Sequence, residues 1–539
     1  GAGATWPCRA LSQAICLAMA GCPAVGASAT AGGAPSALGA WLRGLDGGLS
    51  QSVEIRARAG RGRGLFASAA VEPGETLVSL PLSAILLGEH AVRWAERACP
   101  QVAAFFASGE EAAAAPQEAK EIQVLISMML FVLQELRKPR SHFKHYLQDV
   151  DSHWTSEASA RFPLFWPASL RETLLRGSSA LEAWEASERD VERDHAWLAE
   201  TCPRVLKRHT LDDYKRVWLL VNSRLLTYAG DPRADTPQGR EPQRALIPYF
   251  DLVNHFLPVP HKMLRSEEDL HEHHARSLGR YGVRPTDGPA GSPRQLQLWS
   301  VRALASREEI TDVYGLKAND DLLWTWGFTV PWIHNRTCLA RADVTVPIAD
   351  LPQEAPRSAL WSRALLPFGP SLRFRIDSCL GPGFEQLIAF SRFWFADADA
   401  DVLTRDCGFF GLGDPSRGRP PGPWMLDAGC RHLAPEAGRR AAGALGRWLA
   451  ARRGQLAGGS LEEDDALLGH ACGSASEPCG AEDLARRDAL VVRRDEKYVL
   501  RLAEAHVGEA AAPPTHGRRG SRRRRRRSRR RRGSEGEEL

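Results

Sequence analysis

Apolar positions change period several times along the chain. Leu38, Trp41, Leu42 and Leu45 fall at helical spacing and predict a short amphipathic helix over 38–45. Val53, Ile55 and Ala57 then alternate, which predicts a strand over 53–59. The glycine run Gly60 to Gly64 (GRGRG) follows, then Leu65-Phe66-Ala67, the turn Glu72-Pro73-Gly74-Glu75 and Thr76 to Leu80. That order predicts a hairpin, two β-rich runs about the Pro-Gly turn. Residues 118–136 are apolar nearly all round and predict a buried helix. Residues 184–198 and 212–228 read as further helices. In the latter, Tyr214, Val217, Trp218, Val221, Leu225 and Tyr228 share a face with Arg224 at its border, where a charged side chain favours solvent. From Arg244 the pattern is β again, an apolar run closing on Asn254-His255. Gln295 to Val301 and Ile310 to Tyr314 read as strands, and 320–328 as helical or extended.

The composition shifts near residue 345. Residues 347–370 are linker-like, and helical patterns then dominate over 384–395, 435–453, 461–468 and 494–505. With 539 residues the chain exceeds one core. The expected divisions are an extension over 1–37, a β-rich domain over 38–345 with a helical insert at about 90–240 and a loop insertion over 257–294, an all-α domain over 346–507, and a disordered tail over 508–539. The net charge of +5 is uneven: residues 518–539 hold twelve Arg and three Glu, so the remainder carries −4. The polycationic tail suits non-specific phosphate contact, and without aromatic residues it has no platform for stacking bases. The eleven cysteines form no dense framework, which favours a reducing compartment. Cys472 and Cys479 lack a paired CxxC, and His271 and His274 lack supporting ligands, so no metal site is expected. Residues 10–37 have the outline of a targeting segment, with small residues Ala27-Ser28-Ala29 after a short apolar centre. No stretch reaches the ~18 apolar residues of a membrane span.

Three stretches carry chemistry. The glycine run does not continue as GxGxxG, has no following helix and lacks a Walker Lys, so it reads as a loop where the backbone approaches a ligand or another strand. The second is RALIPYFDLVNHF, Arg244 to Phe256, and the third is EEITDVYGLKANDDLLWTWGF, Glu308 to Phe328. In this order they resemble the signature segments of SET-domain protein methyltransferases, in the branch of the plant Rubisco large-subunit lysine methyltransferase and the actin histidine methyltransferase. The likeness spans roughly residues 38–505.

The resemblance implies an α+β protein: a β-rich SET fold with a pseudoknot and a helical insert, followed by an all-α substrate-binding domain. It implies S-adenosyl-L-methionine as cofactor. Tyr314 matches the catalytic tyrosine. Arg61, Gly62, Arg63, Gly64 and Leu65 would face the cofactor through their backbone, with Arg224, Asn254, His255 and Phe328 completing its site. Ser223, Asp251 and Trp326 would line the substrate channel; relatives often have Tyr at the last of these. The zinc-binding Cys segment of histone-type relatives is absent after Phe328, where Thr329-Val330-Pro331-Trp332 stands instead. The resemblance therefore implies methylation of a lysine on a non-histone protein, docked on the helical domain. Alternatives are a histidine acceptor, whose imidazole is neutral near pH 7, and a catalytically silent interaction scaffold. A monomer in cytoplasm or nucleus is expected, or in a plastid if the N-terminal segment is a transit peptide.

Overall fold

The computed structural model describes residues 36–58, 62–108, 116–154, 156–228, 242–257, 259–270, 272, 281–286, 294–347, 371–395, 409–410, 425–426, 435–470 and 480–511. The targeting-type segment, Arg61, Cys472, Cys479, His271, His273, His274, most of the 257–294 insertion, the linker over 348–370 and the Arg tail lie outside the described residues. The chain divides into two compact units. The first runs to Ala342 and adds Asp377–Cys379 and Gln455–Val499; the second takes Asp343–Ile376, Leu380–Gly454 and the chain from Leu500.

The first unit is built from three small sheets and a helical insert. Strands β1 (Gly48–Leu49), β4 (Thr76–Pro81), β9 (Tyr281–Thr286) and β10 (Gln295–Ser300) form one sheet in the order β1-β4-β10-β9. The second runs β2 (Val53–Arg58), β3 (Gly62–Ala67), β11 (Glu309–Asp312), β8 (Asn254–His255). The third is β5 (Leu86–Leu87), β7 (Gln243–Leu246), β6 (Leu226–Tyr228). The hairpin is thus not where turn grammar puts it. β2 and β3 pair across the glycine run, Val53 opposite Ala67 and Arg58 opposite Gly62. The Pro-Gly turn instead hands the chain to another sheet, held by a Val71–Leu304 bridge and by the Gly74 N–H on the Ser300 carbonyl at 2.6 Å.

The insert contains the expected buried helix, observed as Pro116–Arg137, with Ile122, Ile126, Met128, Leu130 and Val132 in the core. It packs against helices Gly88–Ala98 and Leu211–Arg224. The last begins in a capping box, Thr210 with Asp213, and stops at Arg224 rather than continuing to Tyr228. Leu225 is extended, and Leu226 to Tyr228 leave as β6 to pair with β7. The scattered cysteines do form two disulfides in this unit, Cys99–Cys202 and Cys338–Cys379, which the absence of a dense framework did not anticipate.

The second unit is mainly helical, with Pro382–Phe395 and Pro435–Gln455. It is not all-α: two-stranded ribbons join β12 (Arg341–Pro347) to β13 (Ser371–Asp377), and β14 (Phe409–Phe410) to β15 (Met425–Leu426).

Most of the long helix Ala481–Ala511 belongs to the first unit, whereas the sequence pattern predicts a shorter helix over 494–505 within the C-terminal domain. Polar anchors explain this. Asn319 Nδ2 donates to Asp495 Oδ2 at 2.7 Å, and the Thr329 hydroxyl donates to Asp488 Oδ1 at 2.7 Å. Burial pushes the Asp495 carboxyl up to about 7, and burial beside Arg494 holds His334 down at about 4. His334 Nδ1 and Asp495 Oδ1 are 3.6 Å apart. The two groups act on stability with opposite sign. Folded Asp495 keeps a proton that the unfolded chain releases above its ordinary pKa of about 3.9, so its contribution falls as pH rises toward 7. Unfolded His334 binds a proton that the folded ring refuses between about 4 and its ordinary 6.5, so its contribution rises over that range. Asp495→Asn should therefore make stability climb more steeply from pH 4 to 6.5, and His334→Gln should make it fall, each by up to about 1.4 kcal/mol per pH unit. Urea unfolding at stepped pH measures this. Parallel curves for all three proteins would contradict it.

Candidate active site

Three segments far apart in sequence meet on one sheet. β11 pairs antiparallel with β3, Glu309 opposite Phe66 and Ile310 opposite Leu65. On its other edge β11 pairs parallel with β8, Thr311 opposite Asn254 and Asp312 opposite His255. Tyr249, with φ of 66°, bends the chain into the left-handed region before the Phe250–Leu252 turn that delivers Asn254 and His255.

Asn254 stitches the three segments together. Its Nδ2 donates to the Arg63 carbonyl at 3.0 Å and to Glu309 Oε1 at 2.9 Å. Gly64 makes this possible: a Cβ there would lie 2.6 Å from Asn254 Nδ2 and 2.9 Å from Glu309 Oε1. The Gly64 cradle is therefore filled by the amide of this chain. Gly62 is buried with φ of 78°, so the backbone enters β3 in a conformation that a side chain disfavours. Leu65 faces the core, and the Arg63 guanidinium takes Asp149 in a two-pronged ion pair at 2.8 and 3.2 Å.

Tyr314 follows β11 and is almost completely buried. Its hydroxyl donates to the Val253 carbonyl at 3.2 Å, and its N–H donates to His255 Nδ1 at 3.1 Å. Burial pushes His255 down to about 3, so the ring is neutral at physiological pH. Because Nδ1 accepts, the ring proton sits on Nε2. The His255 ring stacks on Phe328 at 5.4 Å and 27°, and lies 5.0 Å from the Tyr314 ring. On another side of Tyr314 the Trp326 indole sits at 5.5 Å, and its Nε1–H donates to the Ser223 carbonyl at 3.1 Å.

Arg224 does not reach solvent. It is 3% exposed, with Nε 3.3 Å from Asp251 Oδ2 and Nη1 3.4 Å from Ser223 Oγ. Asp251 is equally buried and accepts from the Tyr146 hydroxyl at 3.1 Å. Burial raises the Asp251 carboxyl, opposed by Arg224 and the Tyr146 bond. Tyr146, Asp149 and the Glu309 carboxylate thus bond directly to Asp251, Arg63 and Asn254, and the motifs did not single them out. Only Glu309 left a signal, as the second acid of the Glu308-Glu309-Ile310 start. Among the described residues, no group of His, Cys, Asp and Glu could hold a metal ion. No helix among them is long and apolar enough to cross a membrane.

No family model matches the chain. Among curated proteins it is similar to the N-lysine methyltransferase setd6 of Salmo salar, 22% identical over 280 residues, 50% of this chain and 52% of that one. It is also similar to N-lysine methyltransferase SETD6 of Bos taurus, 24% identical over 290 residues, 51% and 52% of the two chains. The chain spans about half the length of these relatives. Among solved structures, the SET domain of LSMT bound to lysine and AdoHcy superposes with a TM-score of 0.56 at 18% identity, covering 88% of this chain and 90% of that one. Rubisco LSMT bound to AdoMet gives 0.57 at 17% identity, covering 88% and 91%. The chain carries the SET fold. The meeting of β3, β8 and β11 around Tyr314 is where that fold brings together the three segments on which the resemblance rests.

Proposed function

We propose that the chain is an S-adenosylmethionine-dependent protein methyltransferase acting on a lysine of a non-histone protein. One observation carries this reading: the Tyr314 hydroxyl, the Asn254-His255 pair and the β3 backbone converge through direct hydrogen bonds. The residues fit the cofactor. A neutral His255 stacked on Phe328 offers a flat face, and neutrality spares a sulfonium from like-charge repulsion. Buried Arg224 offers a cation for a carboxylate, steadied from one side by Asp251.

Bound S-adenosylmethionine supplies a methyl group on sulfur, transferred in line to a neutral nitrogen. The chain's part is to prepare that nitrogen. A free lysine has a pKa of about 10.4, so its amine must shed a proton before attack, and an apolar enclosure favours the neutral form. Tyr314, Trp326 and Phe328 provide such an enclosure. Because the Tyr314 O–H donates to Val253, its oxygen lone pairs are the part that accepts an N–H from the amine. That bond turns the nitrogen lone pair in a fixed direction, and fixed geometry is the main source of rate in such a displacement. The sequence Thr329-Val330-Pro331-Trp332, in place of a Cys segment, supports a non-histone substrate. The helical second unit is the proposed docking platform.

Incubation of the chain with methyl-labelled cofactor and a cell extract tests the proposal. The label should appear on lysine in a protein other than a histone, as read by mass analysis of the methylated residue. Label on histidine alone, or none at all, would overturn it.

A further inference from the structure

We propose that Tyr146 is a positioning residue for cofactor binding: acting through Asp251, it sets the guanidinium of Arg224 for the carboxylate end of S-adenosylmethionine. This rests on the reading that the site takes that cofactor. Tyr146 stands in the helical insert, on the helix Lys144–Ser152, and is 1% exposed. Its hydroxyl donates to Asp251 Oδ2 at 3.1 Å. The same oxygen lies 3.3 Å from Arg224 Nε. A phenol, an acid and a guanidinium thus meet at one carboxylate oxygen, and all three residues are buried. The helix that brings the phenol is itself fastened. Asp149, three residues on, leaves the same helix face and holds Arg63 of β3 at 2.8 and 3.2 Å. One face of this helix therefore grips β3 with one side chain and the Phe250–Leu252 turn with the other.

What the hydroxyl does follows from charge and shape. Burial favours the protonated form of Asp251, and the Arg224 charge and the Tyr146 bond oppose it. Phenylalanine at position 146 would leave the acid one donor short. The acid would then take up a proton or close on the guanidinium, and in both cases Arg224 loses its present hold. A guanidinium is planar and rigid, so a partner fixed at Nε fixes where its two Nη groups point. A carboxylate ligand is recognised best by two parallel N–H groups, and that fit tolerates little rotation. The hydroxyl of Tyr146 therefore matters to the part of the ligand that carries the carboxylate, and hardly at all to its nucleoside.

The test measures, by calorimetry on the full chain, the binding of S-adenosylhomocysteine and of methylthioadenosine, which keeps the nucleoside and sulfur but lacks the amino-acid end. Wild type should bind S-adenosylhomocysteine about tenfold or more the tighter of the two. Tyr146→Phe should lose about tenfold on S-adenosylhomocysteine and less than about twofold on methylthioadenosine. Kinetics should split the same way, with KM for S-adenosylmethionine raised about tenfold and kcat within about threefold of wild type. Because Tyr146 acts through Asp251, adding Tyr146→Phe to Asp251→Asn should cost S-adenosylhomocysteine binding less than about twofold more. A full further loss in that background would overturn the inference. So would an unchanged S-adenosylhomocysteine affinity in Tyr146→Phe. Equal losses on both ligands, or a variant that binds neither, would make Tyr146 a structural residue only. Wild type that binds the two ligands alike would overturn the inference and leave the cofactor reading intact. Wild type that binds neither would overturn both.

Discussion

Tyr314→Phe should lower methyl transfer about a hundredfold or more and leave S-adenosylhomocysteine affinity unchanged. The size follows from removing one positioned hydrogen-bonding group from a water-excluded site. The change deletes one oxygen. The ring keeps its contacts with His255, Trp326 and Phe328, and the main-chain N–H of residue 314 still reaches His255 Nδ1. What is lost is the bond to the Val253 carbonyl and the acceptor that orients the amine. Turnover and affinity should therefore separate, turnover by kinetics with labelled cofactor and affinity by calorimetry. A variant of wild-type rate would remove Tyr314 from the chemistry.

Asn254→Asp should cost the fold much of its stability. It keeps the shape and replaces a two-hydrogen donor with a carboxylate oxygen. That oxygen would face the Arg63 carbonyl, 3.0 Å from the present nitrogen, and Glu309 Oε1, 2.9 Å from it. Two acceptors lose their donor, and a second negative charge is set beside the first. Each unsatisfied group costs about 1–3 kcal/mol, so a loss of roughly 3 kcal/mol or more is expected. Since a carboxylate beside Glu309 gains by protonation, acid should recover part of the loss, whereas Asn254→Ala, which adds no charge, should show no such recovery. Denaturant midpoints for both variants at pH 5 and pH 8 measure the difference. An Asp variant as stable as wild type at pH 8 would contradict the stitching role given to Asn254.

What was legible in the sequence was the set of segments that must meet. Glycine, Asn-His and Tyr-Gly stretches each carry a local constraint, and their resemblance to the SET signature segments implied that they converge; that β3, β8 and β11 share one sheet is what the structure adds. The partners that complete the site were not legible, because nothing local marks them. Asp149 reaches Arg63 across 86 residues, and Tyr146 reaches Asp251 across 105. Arg224 misled for a related reason. A lone Arg beside an apolar face favours solvent, and the ion pair with Asp251, which periodicity does not show, offsets its burial. The spacing carries its helix four residues too far, to Tyr228, because Leu225 and Tyr228 keep the helical period while the chain is drawn off by pairing with β7. The Pro-Gly turn misled in the opposite sense. Turn chemistry reports a reversal, not which strands pair afterwards, and here β4 pairs with β1 and β10. The apolar spacing predicts the last helix only over 494–505, whereas it runs over Ala481–Ala511; its place in the first unit depends on buried polar bonds to Asn319 and Thr329 that periodicity does not encode.

The most direct test is a crystal structure of the chain with S-adenosylhomocysteine. The account predicts its sulfur facing the Tyr314 hydroxyl, its adenine beside His255 and Phe328, and its carboxylate at Arg224. Density for the nucleoside elsewhere on the molecule, or none at saturating concentration, would contradict it.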